Sequence, residues 1–251
     1  MSKISYMLIT KDRLSYSYEC LSSIFNLPKH DMEFIVCCPE SSIADDLDEF
    51  IIKQHGLKVI IDREMNGGTS AINKICQQVT GKYLSLVIND VVYPQNFLSI
   101  IDYLNNDFKE KTFKMVNIMW DGGPGLPIHN HPDEKEGFIW EAHLWTPVDI
   151  SNTPYPVIPL PFMEVETLET KLGGKLIHPA FKNHYGDHWL GFFISRNEKF
   201  KPFNWTCPYI KYASSQYRGS TNRGNDEFDK QVLRKLTDNF DKNPTDYLVG
   251  L

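Results

Sequence analysis

Apolar and polar positions follow two rhythms along the first hundred residues. Short apolar runs, "ISYMLIT" (4–10), "EFIVCC" (33–38), "LKVIID" (57–62) and "KYLSLVI" (82–88), read as strands. Between them, apolar residues recur at helical spacing. "YSYECLSSIFNL" (16–27) stops before Pro28, and "SSIADDLDEFIIKQHG" (41–56) has serine at its start and Gly56 at its end. "GTSAINKICQQVTG" (68–81) is closed by Gly81, and "NFLSIIDYLNND" (96–107) follows the fourth strand. Strands alternating with helices of this length predict βαβ units and a mostly parallel sheet flanked by helices.

Beyond residue 107 the rhythm fades. "KMVNIMW" (114–120) reads as a strand, but residues 121–161 are rich in Gly, Pro, His and Trp with few periodic runs. "GDHWLGFFISRNE" (186–198) and "NDEFDKQVLRKLTDNF" (225–240) read as helices, the second with Asn225 and Asp226 as caps. There is no internal repeat and no low-complexity tract.

In open α/β sheets, ligands sit beyond the carboxyl ends of the strands. Thr10, Cys38–Glu40, Asp62–Asn66 and Asn89–Asp90 all fall at such ends and are expected to line one crevice. Asp90 follows a run that opens like a buried strand, where an unpaired carboxylate is unfavourable. A ligand contact explains it, and so does a cap on the turn before Pro94.

Composition changes this picture little. The 251 residues are 41% hydrophobic and 23% charged, ordinary globular values, with a net charge of −6 that argues against an extended polyanion-binding surface and leaves a local basic groove open. The five cysteines, Cys20, Cys37, Cys38, Cys76 and Cys207, include no CxxC pair and fit reduced thiols. The first residues are too short and polar a stretch for a signal peptide, and no run reaches the roughly 20 apolar residues of a membrane span. A soluble cytoplasmic protein is expected.

The ordered pieces "ITKDR", "EFIVCCPESS" and "NGGTSAINKICQQVTGKYLSLVIND" resemble the N-terminal half of inverting family 2 glycosyltransferases, which have the GT-A fold. The likeness covers about residues 4–104. A second block, "FKNHYGDHWLGFFISR" (181–196), resembles that family's acceptor-side motif, an acid followed by a helix ending in arginine. The resemblance implies one GT-A domain over 1–251, with a nucleotide-sugar half (1–107) and an irregular acceptor half (108–251). It also implies sugar transfer with inversion from a nucleoside-diphosphate sugar, UDP by default, to a hydroxyl acceptor, assisted by Mn²⁺ or Mg²⁺.

Each motif has a physical role to fill. The leaving diphosphate gains charge, which a dication held by hard oxygens offsets. The resemblance puts that ligand at Asp90, with a late histidine, His184 or His188, adding to it. Gly67 and Gly68 open a helix whose N–H groups suit phosphate or sugar oxygens, though a glycine turn serves a plain helix start equally well. Asn73 matches the family's asparagine and is expected to fix the local loops. Thr10, Arg13, Glu40, Asp62, Asn66, Gly67, Asn73 and Asn89 form the expected donor set. Lys11 and Arg63 stand beside it, and Arg218 and Arg223 are candidates to close over phosphate.

Asp187 is the expected base, taking the acceptor proton during attack, and an N-cap role for it stays open. The sequence departs from the family where Ile88 replaces the first acid of the D-x-D-type motif. It departs again where Cys38 and Pro39 replace paired aspartates, one of which reads the base, leaving Glu40 as the nearest acid. Those departures motivate a second expectation, an inactive GT-A-like nucleotide- or sugar-binding protein. A nucleotidyltransferase would carry a glycine-rich loop where "LITKDRLSYSY" has none.

Gly123, His129, His131 and Glu136 follow the first part of a cupin metal signature, but His143 replaces its next glycine and the βαβ pattern conflicts with a double-sheet β fold. A metal site built from His129 and His131 inside another fold stays open, but the segment is expected to bind the acceptor. Trp120, Trp140 and Trp145 would stack on sugar faces while His129, His131 and His188 bond hydroxyls.

Overall fold

The computed structural model describes residues 2–10, 14–39, 56–64, 66–87, 93, 95–106, 113–120, 138–141, 158, 160–198, 203–207 and 226–248. The strands are β1 (Ile4–Ile9), β2 (Met32–Pro39), β3 (Lys58–Asp62), β4 (Tyr83–Val87), β5 (Met115–Trp120), β6 (Phe138–Glu141), β7 (Pro161–Glu164) and β8 (Phe203–Cys207). The helices are α1 (Leu14–Phe25), α2 (Gly68–Cys76), α3 (Ser99–Asn106), α4 (Val165–Lys171), α5 (Gly186–Glu198) and α6 (Asp226–Asn239).

The eight described strands form one sheet in the order β3-β2-β1-β4-β7-β5-β8-β6. β1 pairs in parallel with β2 and β4, and β2 with β3. β7 enters antiparallel between β4 and β5, β5 pairs in parallel with β8, and β6 closes the edge antiparallel to β8. Six strands therefore run one way and two the other. This is the mostly parallel α/β sheet that the rhythm of the first hundred residues predicts.

Burial explains that rhythm. β1 and β4 are covered on both faces, so their runs are apolar apart from the buried Ser5 and Ser85. On one face Tyr6 stacks on Phe34 at 5.8 Å between ring centroids, Tyr83 stacks on Phe162 at 5.7 Å, and Phe97 meets Phe162 edge-on. Burial pushes the Tyr6 phenol well above its ordinary pKa. α2 packs against β1 and β2. A second aromatic group gathers where α5 meets the chain's last described turn. Trp189 is fully buried among Phe192, Phe193, Phe240 and Tyr247 and donates its indole N–H to the Tyr247 carbonyl at 3.1 Å. The Tyr247 hydroxyl in turn donates to Leu176 O at 2.9 Å, which fastens the segment leading into α5.

Two local expectations change. α2 ends at Cys76, five residues before Gly81, because Gln78 N–H turns back onto Ile75 O. Gly81 instead lies against β1, where a Cβ would stand 2.7 Å from Ser5 Oγ, which accepts its N–H. Within 121–161, β6 and the start of β7 are strands that periodicity alone does not reveal, being only four residues each. The helix expected at 41–56 lies, up to residue 55, outside the described residues.

At the amino ends of β1 and β2, Glu33 accepts hydrogen bonds from Ser5, from Thr80 N–H and hydroxyl, and from Lys3 Nζ at 3.1 Å. Burial pushes its carboxyl up, but these four bonds outweigh it and hold the group at about 2. The folded value lies below the ordinary ~4.3, so the stabilisation is complete above that value and is lost as pH falls toward 2. Melting curves of wild type and Glu33→Gln between pH 6 and 2.5 should converge as the pH falls. A gap independent of pH would contradict the assignment.

Candidate functional site

The strand registers bring the expected crevice residues to one edge of the sheet. Ile9 lies beside Cys37, Leu8 beside Val87, and Pro39 beside Asp62. Thr10 N–H continues the ladder onto Cys37 O at 3.1 Å. Thr10 and Asp62 are both buried. Trp120, at the end of β5, lies on this same edge by the direction of its strand.

Asp62 is paired. Lys74, from α2, places Nζ 2.7 Å from Asp62 Oδ1 and 2.9 Å from Glu64 Oε2. Hydrogen bonds to Asp62 and then Glu64 hold the lysine above its ordinary pKa. Asn66 donates Nδ2 to Glu64 at 3.2 Å. Burial, with the charge of Asp62 beside it, pushes the Cys37 thiol up to about 12, and burial does the same for Cys76. Neither is a nucleophile at neutral pH. Cys20, Cys37, Cys38 and Cys76 are all buried.

The turn before α2 departs from expectation. Gly67 sits at φ +100°, and a Cβ there would lie 2.4 Å from the carbonyl oxygen of Lys182. Gly68 N–H donates to Asn183 Oδ1 at 2.8 Å, and Thr69 N–H donates to Lys182 O at 3.1 Å. These N–H groups, expected to face phosphate, cap instead onto the 182–183 loop. Asn73 makes two bonds to one residue, Nδ2 to Ile177 O at 2.7 Å and Oδ1 from Ile177 N–H at 3.2 Å. It fixes the loop leading to α5, and with its amide engaged it acts on a donor only through that loop.

The loop is held from the other side by Asp229, a fully buried residue of α6. Its Oδ1 accepts Lys182 N–H at 2.7 Å, and its Oδ2 accepts Asn183 and His184 N–H, each at 2.9 Å. Three short charge-assisted bonds satisfy a carboxylate that burial would otherwise penalise heavily. Tyr185 then takes a left-handed φ of 61°, and Gly186 packs so tightly on Ile177 that a Cβ would lie 2.2 Å from its Cγ2. A non-glycine residue in that region is mildly strained, a feature that clusters at functional sites.

Asp187 follows in the first turn of α5, half-buried, with Oδ1 accepting His188 N–H at 3.0 Å. His188 is buried against the Tyr185 ring at 5.1 Å, and burial lowers its pKa although the charge of Asp187 opposes that shift. His184 Nε2 is buried with no hydrogen-bond partner among the described residues. An orphaned imidazole nitrogen is a fitting metal donor, and it suits Mn²⁺ better than Mg²⁺. Among the described residues no three His, Cys, Asp or Glu side chains gather as a metal site.

These parts are contiguous. A Cβ at Gly68 would meet Ile9 Cδ1 at 3.5 Å and Asn183 Oδ1 at 3.8 Å, so the end of β1, the start of α2 and the loop entering Asp187 touch one another. Arg13, Glu40, Asn89, Asp90, His129 and His131 lie outside the described residues, as do Gly123 and Glu136. Trp140 lies in β6, paired with Asn204 of β8. No helix of the described residues is long and apolar enough to cross a membrane.

Sequence reasoning missed Asp229. A signal was present, because residues 229, 233 and 236 of α6 and residue 240 just beyond it form one buried stripe, and a carboxylate among Leu233, Leu236 and Phe240 asks for a partner.

No family model matches the chain, and comparison with curated proteins finds no similar sequence. Solved structures do resemble it. A mannosyltransferase, PcManGT from Pyrobaculum calidifontis in complex with GDP-Man and Mn²⁺, superposes with a TM-score of 0.61 at 14% identity, covering 92% of this chain and 64% of that one. Staphylococcus aureus TarS 1-349 in complex with UDP-GlcNAc gives 0.56 at 14% identity, covering 93% and 66%. TarS 1-349 by itself gives 0.53 at 16% identity, covering 84% and 59%. The chain thus spans less than two thirds of the length of these structures. At such identities the likeness establishes the fold, the GT-A arrangement that the sequence motifs imply.

Proposed function

We propose that this chain is a nucleotide-sugar-dependent glycosyltransferase, a single GT-A domain that moves a sugar to an acceptor hydroxyl with inversion. The observation carrying this reading is the contact of the β1 end, the α2 start and the loop entering Asp187 at the sheet edge where ligands bind in open α/β folds. The solved structures of the same fold, two of them holding nucleotide sugars, support it.

Residues 1–107 hold the donor and residues 108–251 shape the acceptor site. Thr10, Arg13, Glu40, Asp62, Asn66 and Asn89 line the donor side. Asp62 reads the donor through Oδ2, since Lys74 takes Oδ1. Trp120, Trp140, His129, His131 and His188 serve the acceptor. Asp187 takes the hydroxyl proton as the acceptor oxygen bonds to the anomeric carbon from the face opposite the diphosphate. The bond from that carbon to the diphosphate breaks and its electron pair leaves with the diphosphate. Asp90 and His184 are the residues that would hold Mn²⁺ or Mg²⁺, whose charge offsets that of the departing group.

A thermal-shift screen of UDP, GDP and their sugars, with and without Mn²⁺, tests binding. A ligand at 100 times its Kd stabilises by about 2.7 kcal/mol. For a chain of this size that is a rise of roughly 5–10 °C. A metal-dependent rise with a nucleoside diphosphate is expected. Stabilisation by free sugars alone would favour a binding protein without transfer activity.

A further inference from the structure

We propose that Asp229 is a positioning residue for sugar transfer, setting where Asp187 stands relative to the donor; the inference rests on the transferase reading above. One buried carboxylate holds the N–H groups of three consecutive residues, Lys182, Asn183 and His184. The first two also contact the donor side. Lys182 O and Asn183 Oδ1 cap the start of α2, and His184 offers its orphaned Nε2. Three residues later comes Asp187. α6 supplies no group to the expected donor set, yet it determines the path of the loop joining the two halves of the site. Lys182 Nζ lies 4.7 Å from the centre of the Phe228 ring, which holds that loop residue to α6 at a second point.

Chemistry separates the candidate substitutions. Asparagine keeps one oxygen, which can still accept from Asn183 and His184, but its NH₂ would face the Lys182 N–H, donor against donor. The loop must shift there while the apolar stripe of α6 stays intact. Displacement of a reacting group by about 1 Å costs on the order of a hundredfold in turnover without weakening ground-state binding.

The test uses the full chain with a panel of UDP- and GDP-sugars plus Mn²⁺, measuring nucleoside diphosphate release as water takes the sugar in place of the hydroxyl acceptor, with hydrogen exchange read by mass spectrometry. Asp229→Asn should lower kcat about a hundredfold with donor KM unchanged. It should speed exchange at 182–184 and 68–69 and leave the amides of β1 and β4 protected. Asn183→Ala, which removes only the bond to Gly68, should lower kcat in the same sense and carries the test if Asp229→Asn does not fold. Full turnover by folded variants, a loss confined to KM, or unchanged exchange at 182–184 would overturn the positioning role alone. No release by wild type with any donor would overturn the transferase reading and the role together.

Discussion

Asp187→Asn should abolish sugar transfer while leaving donor binding intact. The amide keeps the size of the carboxylate, and its oxygen can still accept the His188 N–H that Asp187 Oδ1 accepts. What it loses is the capacity to take a proton. General-base catalysis contributes typically about 10²–10⁴-fold, so kcat should fall by that order. Donor KM, set on the other side of the crevice, should not follow. His188 is a poor substitute base, because its burial disfavours the protonated form it would have to adopt. Kinetics of nucleoside diphosphate release in both proteins decide the matter. Equal rates in wild type and variant would remove Asp187 from the reaction.

Gly67→Ala should be the most damaging single change to the structure around the site. A side chain at φ +100° is strained on its own account. The added carbon would also lie 2.4 Å from the Lys182 carbonyl, a backbone atom that Asp229 and the start of α2 hold from two directions. A loss of about 2–4 kcal/mol is expected, visible as a drop in Tm of roughly 5–15 °C. Gly56 is the internal control. Its φ is +64°, but no atom lies within 4 Å of a Cβ there, so Gly56→Ala should cost about 1 kcal/mol or less. Equal melting temperatures for the two variants would mean that the close approach of the two loops is absent in solution.

The reason this approach escaped sequence reasoning is physical. Periodicity reports the burial of each segment against its own sheet, and it found β1, β2, β4, α2, α3 and α5 because each buries one continuous apolar surface, whereas β3 was found from its apolar run although it lies half-exposed at the sheet edge. It does not report which loops meet. "NGG" at 66–68 and "KN" at 182–183 are more than a hundred residues apart, and nothing local in either names the other. Gly67 was legible as a turn, but its partner was not. Asn73 was legible as a residue that fixes loops, and the two bonds to Ile177 supply the detail. Asp62 was legible as a crevice acid, whereas its pairing with Lys74 needs the placement of α2 against β1 and β2 to be visible. β7 shows the opposite failure. Four residues buried on both faces carry no alternation, so a strand central to the sheet left no pattern.

Nucleoside diphosphate release from UDP- and GDP-sugars by the wild-type chain, with water taking the sugar and followed with Mn²⁺ and again with EDTA, tests the central claim most directly. The account predicts steady release with at least one donor in the presence of metal and its loss on chelation. An absence of release from every donor, at protein and metal concentrations where the nucleotide is bound, would contradict it.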